Sequence, residues 1–209
     1  MIRINLSKVG KKYQRQWVFR GINLDLKNSD KIAVTGYNGS GKSTFLQILA
    51  AFQTPSEGAI EFYHQEKSVL PEHWYQYISC GTPYLDLPEE LSLKENIEFF
   101  QSFKKIQQGL SANEIGEIAE LDQFMDKQVK FFSSGMKQRV RLALAILSDT
   151  PMLLLDEPLS NLDKNGVNWY TQMIARFAMQ KTIVVCSNNQ PDEIAFCTLN
   201  LDINSFKIA

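Results

Sequence analysis

The sequence is poor in cysteine. Only Cys80, Cys186 and Cys197 occur among 209 residues, and no two form a C-x-x-C pair. An odd count without metal-ligand spacing excludes a disulfide framework or a zinc site, and it fits a reducing compartment. A basic surplus is also missing: 22 Lys and Arg stand against 23 Asp and Glu, for a net charge of −1. Nothing is left over to neutralise a phosphate backbone, so no nucleic acid is expected as a partner, nor an electrostatic membrane anchor. Long hydrophobic runs are absent. Stretches such as Met152–Leu155 last a few residues, whereas a spanning helix needs about 20, so no direct membrane insertion is expected. The first residues, MIRINLSKVGKKYQRQW, hold no apolar centre, so no secretion signal is expected there.

What remains is an ordinary globular composition, 44% apolar and 22% charged, at a length suited to one domain with a sizeable core. No internal repeat or low-complexity tract is visible. Ile22, Leu24 and Leu26 alternate with polar residues, as in a half-buried strand. Ile32–Thr35 is a short apolar run entering a glycine-rich turn, Phe45–Ala51 follows as a helix, and Gly58–Tyr63 reads as a strand. Ser92–Glu95 and Ser111–Glu114 have the S-x-x-E form of capping boxes, each opening a helix. The first carries Ile97, Phe100 and Phe103 on one side; the second carries Ile115 and Ile118. Met152–Asp156 and Thr182–Cys186 read as buried strands around a helix with Val167, Tyr170, Ile174 and Phe177 at helical spacing. The tail, Leu199–Ile208, reads as a hairpin around Asn204-Ser205. Strands alternating with helices imply a mostly parallel α/β core.

Three motifs carry the chemistry. Gly36–Ser43 fits G-x-x-x-x-G-K-[ST], after a strand and before a helix. Glycines let successive backbone N–H groups face a phosphate, and the helix adds its positive end. Lys42 is a point charge for the β and γ phosphates, and the Ser43 hydroxyl can ligate Mg²⁺. Met152–Glu157 is a buried apolar strand ending in two carboxylates. Asp156 suits a magnesium ion, and Glu157 beside it suits polarising a water. Phe132–Arg139 ends 17 residues before Asp156 and opens a helix bearing Val140, Leu144 and Leu147. Ser133 can donate a hydroxyl there, and Gly135 permits close backbone approach.

This order, with Ser160-Asn161-Leu162-Asp163 following, resembles the ABC-type ATPases: Walker A, signature, Walker B and D-loop. The resemblance covers nearly the whole chain. It implies a P-loop α/β core with a mostly parallel sheet, an N-terminal antiparallel β part and a helical lobe. As one nucleotide-binding domain over 1–209, the core takes 1–81 and 147–209 and the lobe 82–146. It further implies that ATP phosphates rest on Asn38, Gly39, Ser40, Gly41, Lys42, Ser43 and Thr44, with Mg²⁺ on Ser43 and Asp156. In the family an aromatic stacks on adenine at the place of Tyr13, 29 residues before Lys42. The signature residues Ser133 and Gly135 reach ATP across a head-to-tail dimer, formed by two copies or with a paired ATPase subunit. Lys11, Lys12 and Arg15 read as a solvated basic edge.

The resemblance breaks at two switch positions. A Gln is usual between the lobes, where Cys80–Thr82 stand here. A His usually contacts the γ-phosphate, where Asn188 stands here; an amide can donate a hydrogen bond but cannot take up a proton. His64 and His73 lie elsewhere in the chain and read as surface residues. In the signature, Ser134 and Met136 replace a Gly and a Gln. The expected function is the ATP-binding and hydrolysing subunit of an ABC transporter, docked on an integral membrane subunit through Thr82–Leu91. Its expected place is the cytoplasm, at the inner face of the cell membrane. The run Asp163–Val167 and the short length are similar to the haem-exporter (cytochrome c biogenesis) group. The alternative is a soluble ABC ATPase, for example in iron–sulfur cluster assembly. A repair-type coiled coil is excluded, because only 90 residues separate Lys42 from Ser133.

Overall fold

The computed structural model describes residues 1–83 and 86–207, in which two sheets share the chain. The first is antiparallel. Its strands β1 (Ile2–Tyr13), β2 (Gln16–Lys27), β4 (Glu57–His64) and β5 (Lys67–Val69) lie in the order β2-β1-β4-β5. Ile2, Ile4, Leu6, Phe19, Ile22, Leu26 and Phe62 turn one face of it inward. The expected alternation around Ile22 and Leu26 is present, and Leu24 is half-buried.

The second sheet contains β6 (Ile78–Gly81), β7 (Met152–Asp156), β8 (Thr182–Ser187), β3 (Lys31–Thr35) and β9 (Leu199–Asp202), ordered β6-β7-β8-β3-β9. Every pairing is parallel. All residues of β3, β7 and β8 are buried, as strands covered on both faces must be. Successive side chains go to opposite faces. Leu153, Leu155, Ile183 and Val185 enter one hydrophobic cluster; Met152, Leu154, Val184 and Cys186 enter the other.

The second cluster also holds helix α1 (Lys42–Leu49) and the antiparallel sheet. The first holds α2 (Leu93–Phe103), α3 (Ala112–Ile118), α4 (Ser134–Leu147) and α5 (Lys164–Phe177). Both expected capping boxes form, with Ser92 and Ser111 accepting the N–H of Glu95 and Glu114. Helix α4 packs against β6 and α5 as well as α3. Ile97 is buried on α2, but Phe103 is not: its ring is exposed and stacks edge-on against Phe99 at 5.0 Å. His73 is exposed, and His64 lies 4.6 Å from the Tyr77 ring.

The tail departs from expectation. Leu199–Asp202 is not one arm of a hairpin but pairs in parallel with β3, Leu201 opposite Val34. Ile203–Phe206 then forms a single 3₁₀ turn, in which Asp202 accepts the Asn204 N–H at 3.0 Å. The buried Ile203 anchors that turn in the core. In the proposed docking segment, Pro83 and Pro88 are exposed and Leu87 is half-buried, while Tyr84 and Leu85 lie outside the described residues. Among the described residues no helix is long and apolar enough to cross a membrane.

Candidate functional site

Strand β3 ends at Thr35 and α1 begins at Lys42, so the loop 36–41 is fixed at both ends by buried structure. Gly41 sits at φ 109, in the left-handed region. A Cβ there would come within 2.4 Å of Val18 Cγ1 and 3.3 Å of Phe19, so glycine is required for both conformation and space. Phe19 in turn meets the Phe45 ring of α1 edge-on at 6.0 Å. Within the loop Asn38 and Gly39 are exposed and Ser40 is buried; beyond it Ser43 is exposed and Thr44 half-buried.

Lys42 is 4% exposed, and its ammonium is well supplied with acceptors. It donates to the carbonyls of Gly36 at 3.0 Å and Tyr37 at 3.3 Å, and to Asn188 Oδ1 at 2.6 Å. The other end of the same amide, Asn188 Nδ2, donates to Glu157 Oε1 at 2.8 Å. The direct Lys42–Glu157 separation is 4.0 Å. The structure therefore brings Lys42, Glu157 and Asn188 into one chain of charge-assisted bonds. Asp156 is buried behind them at the end of β7, opposite Cys186 of β8. Burial raises its carboxyl above the ordinary value, Ser43 draws it down by a hydrogen bond, and Glu157 pushes it up. Its Oδ1 has no hydrogen-bond partner among the described residues.

Glu157 also carries backbone strain. Its φ of 46 is in the left-handed region, which costs a non-glycine residue about 1–2 kcal/mol. Its N–H is held by the Cys186 carbonyl at 2.9 Å and its carbonyl by the Ser160 N–H at 3.0 Å. Two side chains that sequence reasoning missed grip the following residues. Gln138 of α4 donates to the Pro158 carbonyl at 2.9 Å, and Glu193 of helix α6 (Pro191–Ile194) accepts the Leu159 N–H at 3.1 Å. Both are buried. Gln138 was findable: it shares the buried face of its helix with Leu142, Ala145 and Ile146.

Ser133 caps α4, accepting the Met136 N–H at 3.2 Å, which leaves its own hydrogen to donate. Gly135 packs on the turn after β7: a Cβ would lie 2.8 Å from the Asn161 carbonyl. Asp163 caps α5 by accepting the Gly166 N–H at 2.8 Å. These residues line a cleft of about 460 Å³ with Met136 and Arg139. A second cleft of about 620 Å³ opens beside Gly36, Tyr37, Asn38 and Asn188. The two share no lining residue, so the cleft at Ser133 and Gly135 is distinct from the one beside Gly36–Asn38 and Asn188. Tyr13 stands at the β1–β2 turn, exposed, with its hydroxyl donating to Gln53 at 2.7 Å and Lys11 Nζ 5.2 Å from its ring. Where the Gln was expected, Thr82 is buried, and burial pushes the Cys80 thiol up to about 12.

A family model described as ABC transporter matches residues 19–160. The spermidine/putrescine import ATP-binding protein PotA of Clostridium acetobutylicum is 32% identical over 78% of this chain and 47% of its own length. This chain thus spans about half the length of such relatives. The cytochrome c biogenesis ATP-binding export protein CcmA of Mannheimia succiniciproducens is 29% identical over 88% of this chain and 86% of its own. A dimeric ATP-binding cassette solved in a post-hydrolysis state with ADP and Pi superposes with a TM-score of 0.80, at 25% identity over 96% of this chain and 94% of that one. The family match takes in the phosphate loop, the α4 N-terminus and the Asp156–Glu157 strand end alike, and the chain belongs to the ABC transporter family.

Proposed function

We propose that this chain binds and hydrolyses ATP as the nucleotide-binding subunit of a transporter, working on a separate membrane subunit. The observation that carries the reading is the bonded series Lys42–Asn188–Glu157, set beside a buried Asp156 at the mouth of a glycine loop. Phosphates rest on the loop from Asn38 to Thr44. Lys42 exchanges its Asn188 and carbonyl contacts for phosphate oxygens. Glu157, freed from Asn188, accepts a proton from the attacking water. Asn188 then donates to the γ-phosphate through the same Nδ2. The unpartnered Oδ1 of Asp156 and the neighbouring Ser43 hydroxyl would hold Mg²⁺, a hard cation that prefers oxygen ligands. Bound there, the ion offsets charge on the phosphates.

Ser133 and Gly135 line a cleft distinct from the one beside Gly36–Asn38 and Asn188, which suits a role toward the ATP of a second subunit, identical or paired. Tyr13 offers its exposed ring to adenine, a contact of about 1–3 kcal/mol in comparable stacking sites. The membrane subunit sits against residues 82–91, and through it the chain is held at the inner face of the cell membrane. Lys42→Ala tests the reading: tight MgATP binding is lost in calorimetry. Unchanged affinity in that variant sinks it.

A further inference from the structure

A carboxylate that takes a proton from water works only when it is held on target, and Glu157 is held by its neighbours. Its backbone is left-handed at φ 46, a conformation that survives only where the surroundings over-determine it. The next two residues supply that. Pro158 is held by its carbonyl from α4, the helix that begins at Ser133. Leu159 is held by its N–H from α6, the helix that follows Asn188. One donor and one acceptor thus act on adjacent residues, and both side chains are almost wholly buried, Gln138 at 3% and Glu193 at 1% exposure. Glu193 Oε2 has no hydrogen-bond partner among the described residues. Burying a carboxyl for one backbone N–H and the Ser187 hydroxyl, with Oε2 left over, is an expensive way to fill space, and an apolar side chain would fill it better. Tyr170 further fixes α6, its hydroxyl donating to the Glu193 carbonyl at 3.3 Å.

We propose that Gln138 and Glu193 are positioning residues: they clamp Pro158–Leu159 from the two flanking helices and thereby set the aim of the Glu157 carboxylate. Neither touches the reacting atoms. The inference rests on the ATPase reading above. It also ties the signature helix and the switch helix to the same two residues, so either helix acts on Glu157 through the clamp.

The test is steady-state ATP hydrolysis by the full chain at saturating MgATP, with ATP affinity measured separately by calorimetry. Glu193→Ala lowers kcat roughly 10- to 100-fold, the scale of a misplaced reacting group, and leaves ATP affinity within about threefold. Glu193→Gln, which keeps the acceptor, restores kcat to within about threefold. Adding Glu193→Ala to Glu157→Gln lowers kcat no further, because the clamp acts only through Glu157. Gln138→Leu, close to Gln in shape but unable to donate, gives the same pattern and decides the matter should Glu193→Ala fail to fold. A variant kcat within threefold of wild type, an additive effect on Glu157→Gln, or no rescue by Gln overturns the clamp alone. A wild-type chain without turnover overturns the ATPase reading and the clamp with it.

Discussion

Asn188 is the residue at which rate and affinity separate. Its amide makes two charge-assisted bonds, accepting from Lys42 at 2.6 Å and donating to Glu157 at 2.8 Å. Each bond of this kind contributes about 1.5–3 kcal/mol. With ATP bound, the first is replaced by phosphate contacts, and the second passes to the γ-phosphate only as its charge develops, so Asn188→Ala removes one such bond from the transition state. That predicts a kcat roughly 10- to 150-fold lower. Affinity is expected to hold within about threefold, for a structural reason: without Asn188 the ammonium still has the Gly36 and Tyr37 carbonyls at 3.0 and 3.3 Å to keep it aimed into the loop. Glu157→Gln removes the proton acceptor itself and costs roughly 10²–10⁴ in kcat. The two variants therefore rank, with Asn188→Ala the milder. Asn188→His supports turnover and adds a rate dependence near the ordinary imidazole value of about 6.5, which the wild type lacks at this position. Steady-state rates between pH 5.5 and 8.5, paired with calorimetry, read all three. An Asn188→Ala variant as slow as Glu157→Gln, or one binding ATP tenfold more weakly, refutes the reasoning.

Glu157→Gln also traps a dimer with ATP between the subunits, because the product that opens it no longer forms; size-exclusion chromatography with MgATP shows a dimer peak that wild type loses on incubation, and a monomer peak throughout counts against it. Lys181 is buried, with Nζ donating to the Ile146 carbonyl at 2.9 Å and to Ser148 at 2.5 Å, and burial lowers its pKa to about 8 from 10.5. The folded chain then binds fewer protons at Lys181 than the unfolded chain between pH 8 and 10.5, so this residue makes stability rise with pH there, by at most about 1.4 kcal/mol per unit. Urea midpoints of Lys181→Met lack that rise; identical pH slopes for wild type and variant defeat the assignment.

The site was legible in the sequence where chemistry dictates spacing. Gly36–Ser43 must turn tightly between a strand and a helix, and Asp156–Glu157 must end a buried strand; both do. Asn188 was placed by resemblance, and its position follows from parallel register, Thr35 beside Ser187. Sequence reasoning failed where a contact spans the chain. The tail strand looked like a hairpin because local alternation carries no information about which strand it joins, and the choice of β3 is a long-range parallel pairing. Glu193 follows a proline and an aspartate in a four-residue helix, where an acidic residue reads as an ordinary favourable charge at a helix start. Its burial depends on Leu159, 34 residues away.

The alternation of β7 and β8 has a consequence for how this chain can change. Odd-numbered residues of both strands serve the cluster beneath α4 and α5, and even-numbered ones serve the cluster beneath the glycine loop. The two clusters meet through strand backbone, whose atoms are the same whatever the side chains. Volume lost or gained on the helical face is therefore absorbed by α2 to α5, and the packing of Phe45 and Leu46 under the loop is left alone. Apart from Gln138 and the α4 N-terminus, inheritance can rework the helical interior to suit a new neighbour while the packing under the glycine loop is passed on, the sheet acting as a partition between two separately editable interiors.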